Sequence, residues 1–324
     1  MRLTLASFFS GIGGLDLGFE RAGFRVTMQC EIHSFCNTIL EKHWADVPRF
    51  KNIKEMSDAD VPLSSVWAGG FPCQDVSLAR MGPRAGLKGK RSGLFFEFAR
   101  LLKRGCPGVF VIENVPGLLS SHGGKDFEIV IRTLAGFGYG VGWRVLNSRF
   151  FGVAQSRQRI YIVGCHRDWR GPGQILFESE CGQRDVEKGG QNGQKSVSPF
   201  KKSVGDPRKG PITPGIAYCL YACSARHTGT DWSRNYASYP DGRVRRLMPI
   251  ECERLQGFPK DWTLPEILTN GDRADPDKID TLRYHALGNA VTVPVAEWLA
   301  ARIKQYLQAE GVKQQEARVS VALT

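Results

Sequence analysis

The stretch Phe8-Phe9-Ser10-Gly11-Ile12-Gly13-Gly14 decides the fold class of this chain. It overlaps the end of an apolar run, Leu3 to Phe9, that predicts a buried strand, and it precedes Leu15 to Ala22, whose apolar spacing predicts a helix. Glycines between a strand and a helix let the backbone approach a ligand at the carboxyl edge of a parallel sheet. The turn therefore indicates either a site for a nucleotide-like cofactor or a tight turn that only connects the two elements.

The next predicted strand, Arg25 to Cys30, ends at Glu31, about twenty residues after the glycine turn. An acidic side chain there can accept hydrogen bonds from ribose hydroxyls, although it could also cap a helix. The dinucleotide fingerprint would place glycine where this chain has Asp16, so the sequence disfavours a dehydrogenase.

The rest of the chain alternates apolar strands with helical patterns, which predicts a mainly parallel sheet covered by helices. We expect strands at Val66 to Gly69, Val109 to Ile112, Val141 to Leu146 and Arg159 to Cys165, and helices at Leu94 to Lys103, Phe127 to Leu134, Pro249 to Gln256 and Pro294 to Leu307. From about Asp168 to Pro214 the composition turns to Gly, Gln, Lys, Ser and Pro, which indicates a loop-rich second domain or a disordered insertion. The last dozen residues are expected to fray.

A net charge of +12 favours a polyanionic partner. Between Val76 and Phe96 the chain has five basic residues and no acidic one, and a second basic stretch contains Lys201, Lys202, Arg208 and Lys209. Nine cysteines without a Cys-x-x-Cys pair fit neither a disulfide framework nor a zinc site, so most should be buried and no metal is expected. With no secretory signal and no apolar run of membrane-spanning length, we expect a cytoplasmic protein, associated with the nucleoid while on DNA.

Cys73 follows the predicted strand Val66 to Gly69 and a proline, at the start of the basic, glycine-punctuated loop. Neighbouring positive charge favours the thiolate, which is the form that attacks carbon. A lone cysteine is also commonly an inert packed thiol, so this residue alone leaves both interpretations open.

Two further segments should bring charged side chains to the same edge of the sheet. Glu113 ends an apolar strand, where a carboxyl group is protonated more readily and suits a general acid acting on a ring nitrogen, unless it only caps a helix. Arg157 and Arg159 occupy alternate positions, hence one face if extended, and could fix that carboxylate or form an ordinary DNA-facing or solvated pair.

Six separated motifs, in the family's order, make the chain resemble the C5-cytosine DNA methyltransferase family, of the bacterial or phage restriction-modification type, over nearly its whole length. They are Phe9-Ser10-Gly11-Ile12-Gly13-Gly14, Pro72-Cys73-Gln74, Glu113-Asn114-Val115, Gln155-x-Arg157-x-Arg159, Arg245-Arg246-Leu247 through Glu253-Arg254-Leu255-Gln256-Gly257-Phe258-Pro259, and Gly288-Asn289-Ala290-Val291.

The resemblance implies an α/β fold, a Rossmann-like S-adenosylmethionine-dependent methyltransferase sheet with helices on both faces, plus a small loop-rich target recognition domain. The catalytic and cofactor-binding domain would span 1–167, the target recognition domain 168–243, and residues 244–324 would return to the catalytic domain and include the C-terminal helix. That helix would pack beside the N-terminal motif.

The resemblance also implies the site residues. Cys73 would add to C6 of cytosine, Glu113 would donate toward N3, and Arg159 would hold the cytosine carbonyl and orient Glu113. The remaining catalytic-site residues are Arg157, Asn114 and Pro72. Contacts to S-adenosylmethionine would come from Phe9, Gly11, Ile12, Gly13, Gly14, Glu31, Asn52, Ile53, Leu94, Asn289 and Val291. DNA would be contacted by Gln74, Ser77, Arg80, Arg84, Lys88, Lys90 and Arg91. The family commonly has Asp-Ile where this chain has Asn52-Ile53, although an amide oxygen can still accept from the adenine amino group.

The expected partner is double-stranded DNA, from which the target base must be flipped. We expect a monomer, with a cognate restriction endonuclease acting on the same site as a possible partner. One rival is a tRNA cytosine-5 methyltransferase, but such relatives carry a Cys-Phe-Thr signature that this chain lacks. A second rival is a non-catalytic DNA-binding protein that kept the fold, against which the presence of Cys73, Glu113 and Arg159 argues.

Overall fold

The computed structural model describes residues 3–72, 93–177, 203–204, 213–214, 217–220, 236–239, 241, 243–266 and 275–322. The strands are β1 (Thr4–Phe8), β2 (Arg25–Cys30), β3 (Arg49–Phe50), β4 (Val66–Gly69), β5 (Val109–Asn114), β6 (Tyr139–Asn147), β7 (Gln155–Ser156), β8 (Gln158–His166), β9 (Ser203–Val204), β10 (Thr213–Pro214), β11 (Ala217–Tyr218), β12 (Tyr236–Ser238) and β13 (Val244–Arg246). The helices are α1 (Gly14–Arg21), α2 (Ser34–His43), α3 (Leu94–Gly105), α4 (Lys125–Ala135), α5 (Gly171–Leu176), α6 (Pro249–Gln256), α7 (Pro276–Asn289) and α8 (Val293–Ala322).

Seven strands form one sheet in the order β3-β2-β1-β4-β5-β8-β6. All neighbouring pairs from β3 to β5 are parallel, whereas β8 runs antiparallel to both β5 and β6. The carboxyl ends of β1, β4, β5 and β6 therefore share one edge of the sheet with the amino end of β8. This edge, which we call the active edge, gathers the residues that the sequence singles out as a site.

Alternation along the strands divides the interior into two cores, because successive side chains of a strand point to opposite faces. One core contains Leu5, Val66 and Val109 with helices α1, α2 and α8, and the other contains Ala6 and Trp67 with helices α3 and α4. Helices thus cover both faces of the sheet, as the sequence predicted.

The predicted strands at Arg25 to Cys30 and Val66 to Gly69 and the predicted helix at Pro249 to Gln256 are confirmed to the residue. The prediction that the last dozen residues fray is wrong for the backbone, because α8 continues to Ala322. Of the six cysteines in the described part, four are buried, namely Cys30, Cys36, Cys165 and Cys252, as expected.

In the region expected to recognise the target, the described strands are two or three residues long. β9 pairs with β10, β12 pairs with β13, and β11 pairs with β7, which precedes β8. Helix α5 packs against β6 and α8. Among the described helices, none is long and apolar enough to span a membrane.

Candidate active site

Glu113 and Arg159 form an ion pair at the active edge. β5 and β8 are neighbours, and Glu113 lies opposite Tyr161 in their register. The Arg159 Nε lies 3.0 Å from the Glu113 Oε1, and both side chains are largely buried. Glu113 therefore does not serve as a helix cap, and the predicted arginine contact to its carboxylate is present.

Burial raises the pKa of the Glu113 carboxyl above its usual value, and the positive charges of Arg159 and Arg157 only partly oppose this rise. A carboxyl group with a raised pKa keeps its proton at higher pH and can donate it to a bound base. The geometry thus suits general acid chemistry at Glu113.

The segment before Cys73 lies directly against this carboxyl group. A Cβ on Gly70 would lie 2.8 Å from Glu113 Oε2, so only glycine fits there without a shift. The Asn114 side-chain amide donates to the carbonyl of Phe71 at 3.2 Å, which anchors the backbone one residue before Pro72. Cys73 follows immediately in sequence but lies outside the described residues.

Arg157 is buried and its guanidinium contacts backbone carbonyls. Its Nη1 donates to Leu220 at 3.0 Å, and its Nη2 donates to Gly288 and Ala290 at 3.0 and 2.9 Å. Burial lowers the pKa of this guanidinium. Arg157 therefore joins its own segment to two distant ones, at Leu220 and at Gly288 to Ala290, while Arg159 is the arginine that contacts Glu113.

The glycine turn after β1 presents backbone N–H groups near Glu31. Gly11 donates its N–H to the Glu31 Oε2 at 2.8 Å, and His33 donates to Oε1 at 2.7 Å. The helix-capping alternative for Glu31 is not observed, because α2 begins after the N-cap residue His33 without a side-chain cap. Gly11 has φ +58°, and a Cβ built on it would meet nothing within 4 Å, so the turn is open on that side.

Gly14 brings the C-terminal motif to the turn, because a Cβ on Gly14 would lie 2.5 Å from the carbonyl oxygen of Val291. In the same way, a Cβ on Gly18 of α1 would lie 2.5 Å from Ala296 of α8. The expected packing of the C-terminal helix beside the N-terminal motif is present, and it places Asn289, which is exposed, near the turn.

Three of the predicted cofactor residues belong to the core on one face of the sheet, where Ile53 is buried and Phe9 and Leu94 pack against the core and are partly exposed. Asn52 is half-buried next to Ile53, and its amide donates to Glu55 while its oxygen accepts from the N–H of Lys54 at 3.2 Å. Ile12 and Gly13 are buried within the turn.

A tryptophan that none of the sequence motifs singled out lies beneath the glycine turn. Trp262 is buried, its indole N–H donates to the carbonyl of Ile12 at 2.8 Å, and its ring stacks on His43 with centroids 3.5 Å apart. Its backbone neighbours Asp261 and Thr263 donate their N–H groups to the carboxylate of Glu253.

Glu253 is fully buried and forms an ion pair with Arg283 at 3.1 Å. Its motif, Glu253 to Pro259, was singled out from the sequence, but its burial was not indicated, because a glutamate beside Arg254 is ordinarily expected at the surface. Nothing in the local sequence indicated which residue the partner would be.

The predicted DNA contacts lie outside the described residues. They are Gln74, Ser77, Arg80, Arg84, Lys88, Lys90 and Arg91, and the second basic stretch at Lys201, Lys202, Arg208 and Lys209 lies outside as well.

Comparisons with known proteins agree with this arrangement. The family model described as C-5 cytosine-specific DNA methylase matches residues 3–206 and 183–305. The Type II methyltransferase M.NgoBI of Neisseria gonorrhoeae is 34% identical over 309 residues, which cover 89% of this chain and 89% of that protein. The Type II methyltransferase M.SsoII of Shigella sonnei is 29% identical over 326 residues, which cover 93% and 80%.

Solved structures share the fold. The S. pombe Dnmt2 methyltransferase superposes with a TM-score of 0.66 at 19% identity, covering 94% of this chain and 99% of that one. The Entamoeba histolytica methyltransferase EhMeth gives a TM-score of 0.66 at 18% identity, covering 95% and 99%. At such identities the likeness concerns the fold alone, whereas the family model spans nearly the whole chain. The chain therefore belongs to the C-5 cytosine-specific DNA methylase family and is a DNA (cytosine-5) methyltransferase.

Proposed function

We propose that this enzyme flips a cytosine out of duplex DNA and methylates its C5 through a covalent adduct with Cys73, within a short specific sequence. The observation that carries the proposal is the buried Glu113–Arg159 pair, which lies against Gly70 at the start of the segment leading to Cys73. C5 of cytosine is too weakly nucleophilic to take a methyl group unaided, so activation of the ring is required.

In the first step, the Cys73 thiolate adds to C6 of the ring while Glu113 gives its proton to N3, so that no negative charge accumulates on the base. Arg159 orients Glu113 and donates to the carbonyl of the cytosine. After the methyl group is attached, the C5 proton passes to solvent, and its bonding electrons restore the C5–C6 double bond and expel the thiolate. Glu113 recovers its proton from N3.

Arg157 and Asn114 act as positioning residues in this scheme. Asn114 holds the carbonyl of Phe71 next to Pro72, and Arg157 holds the backbone at Gly288 and Ala290. These contacts hold in place the backbone that leads to Cys73 and the backbone of the C-terminal motif Gly288 to Val291.

The residues at the glycine turn fit S-adenosylmethionine, which when bound supplies the methyl group as an electrophilic sulfonium. The open side of Gly11, the Glu31 carboxylate and the apolar surface of Phe9 and Leu94 offer hydrogen bonds and apolar contact in one place. We assign cofactor binding to these residues together with Ile12, Gly13, Gly14, Asn52, Ile53, Asn289 and Val291.

We further propose the domain division 1–167, 168–243 and 244–324, with sequence-specific contacts in the middle part and phosphate contacts in the basic loop from Gln74 to Arg91. The relatives are named Type II methyltransferases, which favours a restriction-modification role with a cognate endonuclease that acts on the same site.

The test is transfer of labelled methyl from S-adenosylmethionine to mixed-sequence duplex DNA, followed by base-resolution mapping of 5-methylcytosine. We expect methylation of one short motif, abolished in Cys73→Ala while DNA binding is retained. Cys106→Ala is the matched control, because Cys106 is an exposed cysteine before the amino end of β5, opposite the active edge.

A duplex with 5-fluorocytosine at the target tests the covalent step separately, because a C5 fluorine cannot leave as a proton does. Wild-type enzyme should form an adduct with it that survives denaturation, and Cys73→Ala should not. Transfer to tRNA instead of DNA would favour the RNA methyltransferase, and equal activity of Cys73→Ala and wild type would refute the mechanism.

A further inference from the structure

Arg149 and Phe150 form an exposed pair at the active edge that the catalytic scheme does not use. They follow the carboxyl end of β6, which shares this edge with the carboxyl end of β5 because both strands run antiparallel to β8. In the register of β6 with β8, Leu146 lies opposite Arg159. Arg149 and Phe150 therefore come within four residues of Leu146, which faces the arginine that pairs with Glu113.

The backbone that presents the pair is held in place from inside. Ser148 is buried, its hydroxyl donates to the carbonyl of Gln155 at 2.6 Å, and its N–H donates to the carbonyl of Arg157 at 2.9 Å. The Asn147 side chain accepts from the N–H of Arg149 at 3.3 Å and from that of Arg157 at 3.1 Å. A side chain on such a turn is pre-organised, so little backbone entropy is lost when it binds a partner.

The chemistry of the pair matches nucleic acid. Phe150 is 72% exposed, and the guanidinium of Arg149 lies over its ring at 4.5 Å from the centroid. A guanidinium stacked on a ring by its face keeps its N–H groups directed outward, where they suit a phosphate. The free face of an aromatic ring suits a nucleobase or sugar.

We propose that Arg149 and Phe150 are a DNA contact at the rim of the catalytic pocket. Arg149 pairs with a backbone phosphate beside the target cytosine, and Phe150 packs against the adjacent sugar and base. The inference rests on the proposed function, since that function places duplex DNA at the active edge. It adds a contact on the catalytic domain to those expected in the basic loop from Gln74 to Arg91.

The chain offers a control at the opposite edge of the sheet. Leu63 is 96% exposed, so its side chain is also available to a partner. It precedes the amino end of β4, which lies away from the active edge because β4 is parallel to β5.

The experiment measures binding of a fluorescein-labelled mixed-sequence duplex by anisotropy across a salt series, with full-length protein. Phe150→Ala should raise the Kd about tenfold, in line with the loss of one aromatic contact to a base. Phe150→Trp should keep the wild-type Kd. Arg149→Gln should reduce the slope of log K against log salt by about 1, as expected for one lost phosphate contact. Leu63→Ala should leave both quantities unchanged.

Urea unfolding of each variant checks the fold, and Phe150→Ala should unfold like wild type because the side chain is exposed. An unchanged Kd in Phe150→Ala, or an equal loss of affinity in Leu63→Ala, would overturn the inference. A change in oligomeric state without a change in Kd would assign the pair to contacts between copies and would also overturn it. The proposed function is judged separately, by whether wild-type enzyme methylates DNA.

Discussion

Asp16 carries a burial cost that should appear as a pH-dependent loss of stability. It is fully buried in the first turn of α1, where it accepts hydrogen bonds from Ser7 and Gln29, each at 2.9 Å. Burial raises its pKa from 3.8 to about 6, since the two hydrogen bonds only partly offset the loss of solvation. The substitution Asp16→Asn removes the titrating group while keeping the shape of the side chain.

The folded protein binds the Asp16 proton more tightly than the unfolded chain does, so this group contributes stability at low pH that is lost as the pH rises through about 6. A shift from 3.8 to about 6 corresponds to about 3 kcal/mol when complete. Asp16→Asn has no titrating group at this position, so its stability does not fall in this way as the pH rises. Its free energy of unfolding relative to wild type should therefore increase by about 2 to 3 kcal/mol between about pH 4 and about pH 7.5.

Urea denaturation with linear extrapolation, repeated across this pH range, measures the difference. Glu20→Gln, which removes an exposed carboxylate from the same helix, controls for charge removal as such. A difference between Asp16→Asn and wild type that stays constant with pH, or that shrinks as pH rises, would refute the reasoning.

Three further outcomes are expected. Trp262→Phe removes the donor to the Ile12 carbonyl, which should cost about 1 to 2 kcal/mol of binding free energy and raise the calorimetric Kd for S-adenosylmethionine by about five- to thirtyfold. DNA affinity should stay unchanged, and an unchanged cofactor Kd would contradict the prediction. Glu253→Gln removes the buried countercharge of Arg283 and leaves it the more exposed Asp280 at 3.2 Å, so the free energy of unfolding should fall by about 3 kcal/mol. A urea midpoint equal to that of wild type would count against a structural role for the Glu253–Arg283 pair. Arg157→Lys should lower the urea midpoint although the charge is kept, because one ammonium cannot reproduce the geometry of three carbonyl contacts; retention of wild-type stability would show that charge alone suffices.

The local sequence pattern was sufficient to predict a strand that is buried on both faces of the sheet. The strand at Val66–Gly69 was predicted to the residue because a strand buried on both faces reads as a continuous apolar run bounded by turn residues. β5 was predicted to stop at Ile112 but continues to Asn114, because the ladder with β8 extends through two polar residues. Glu113 and Asn114 interrupt the apolar pattern of the strand, and both are residues of the candidate site.

Arg157 and Arg159 show the limit of spacing within one motif, since the resemblance to the family, and not the spacing, assigned Arg159 to Glu113. Their alternate spacing gave them equal claims to the Glu113 carboxylate, yet only Arg159 contacts it, while Arg157 contacts the carbonyls of Gly288 and Ala290. Those carbonyls are more than a hundred residues away along the chain. No local spacing could have assigned the two roles.

The sequence by itself determined the alternation of strands and helices, the residue types of the site and the family, because short-range periodicity and ordered motifs are written in the order of residues. Only the tertiary structure decided which of those residues meet. Trp262 supports the turn at Ile12 and Val291 lies on Gly14, contacts that span most of the chain. The physical reason is that such contacts arise from the packing of α1 and α8 on the same sheet face, and close packing depends on the shapes of both surfaces together.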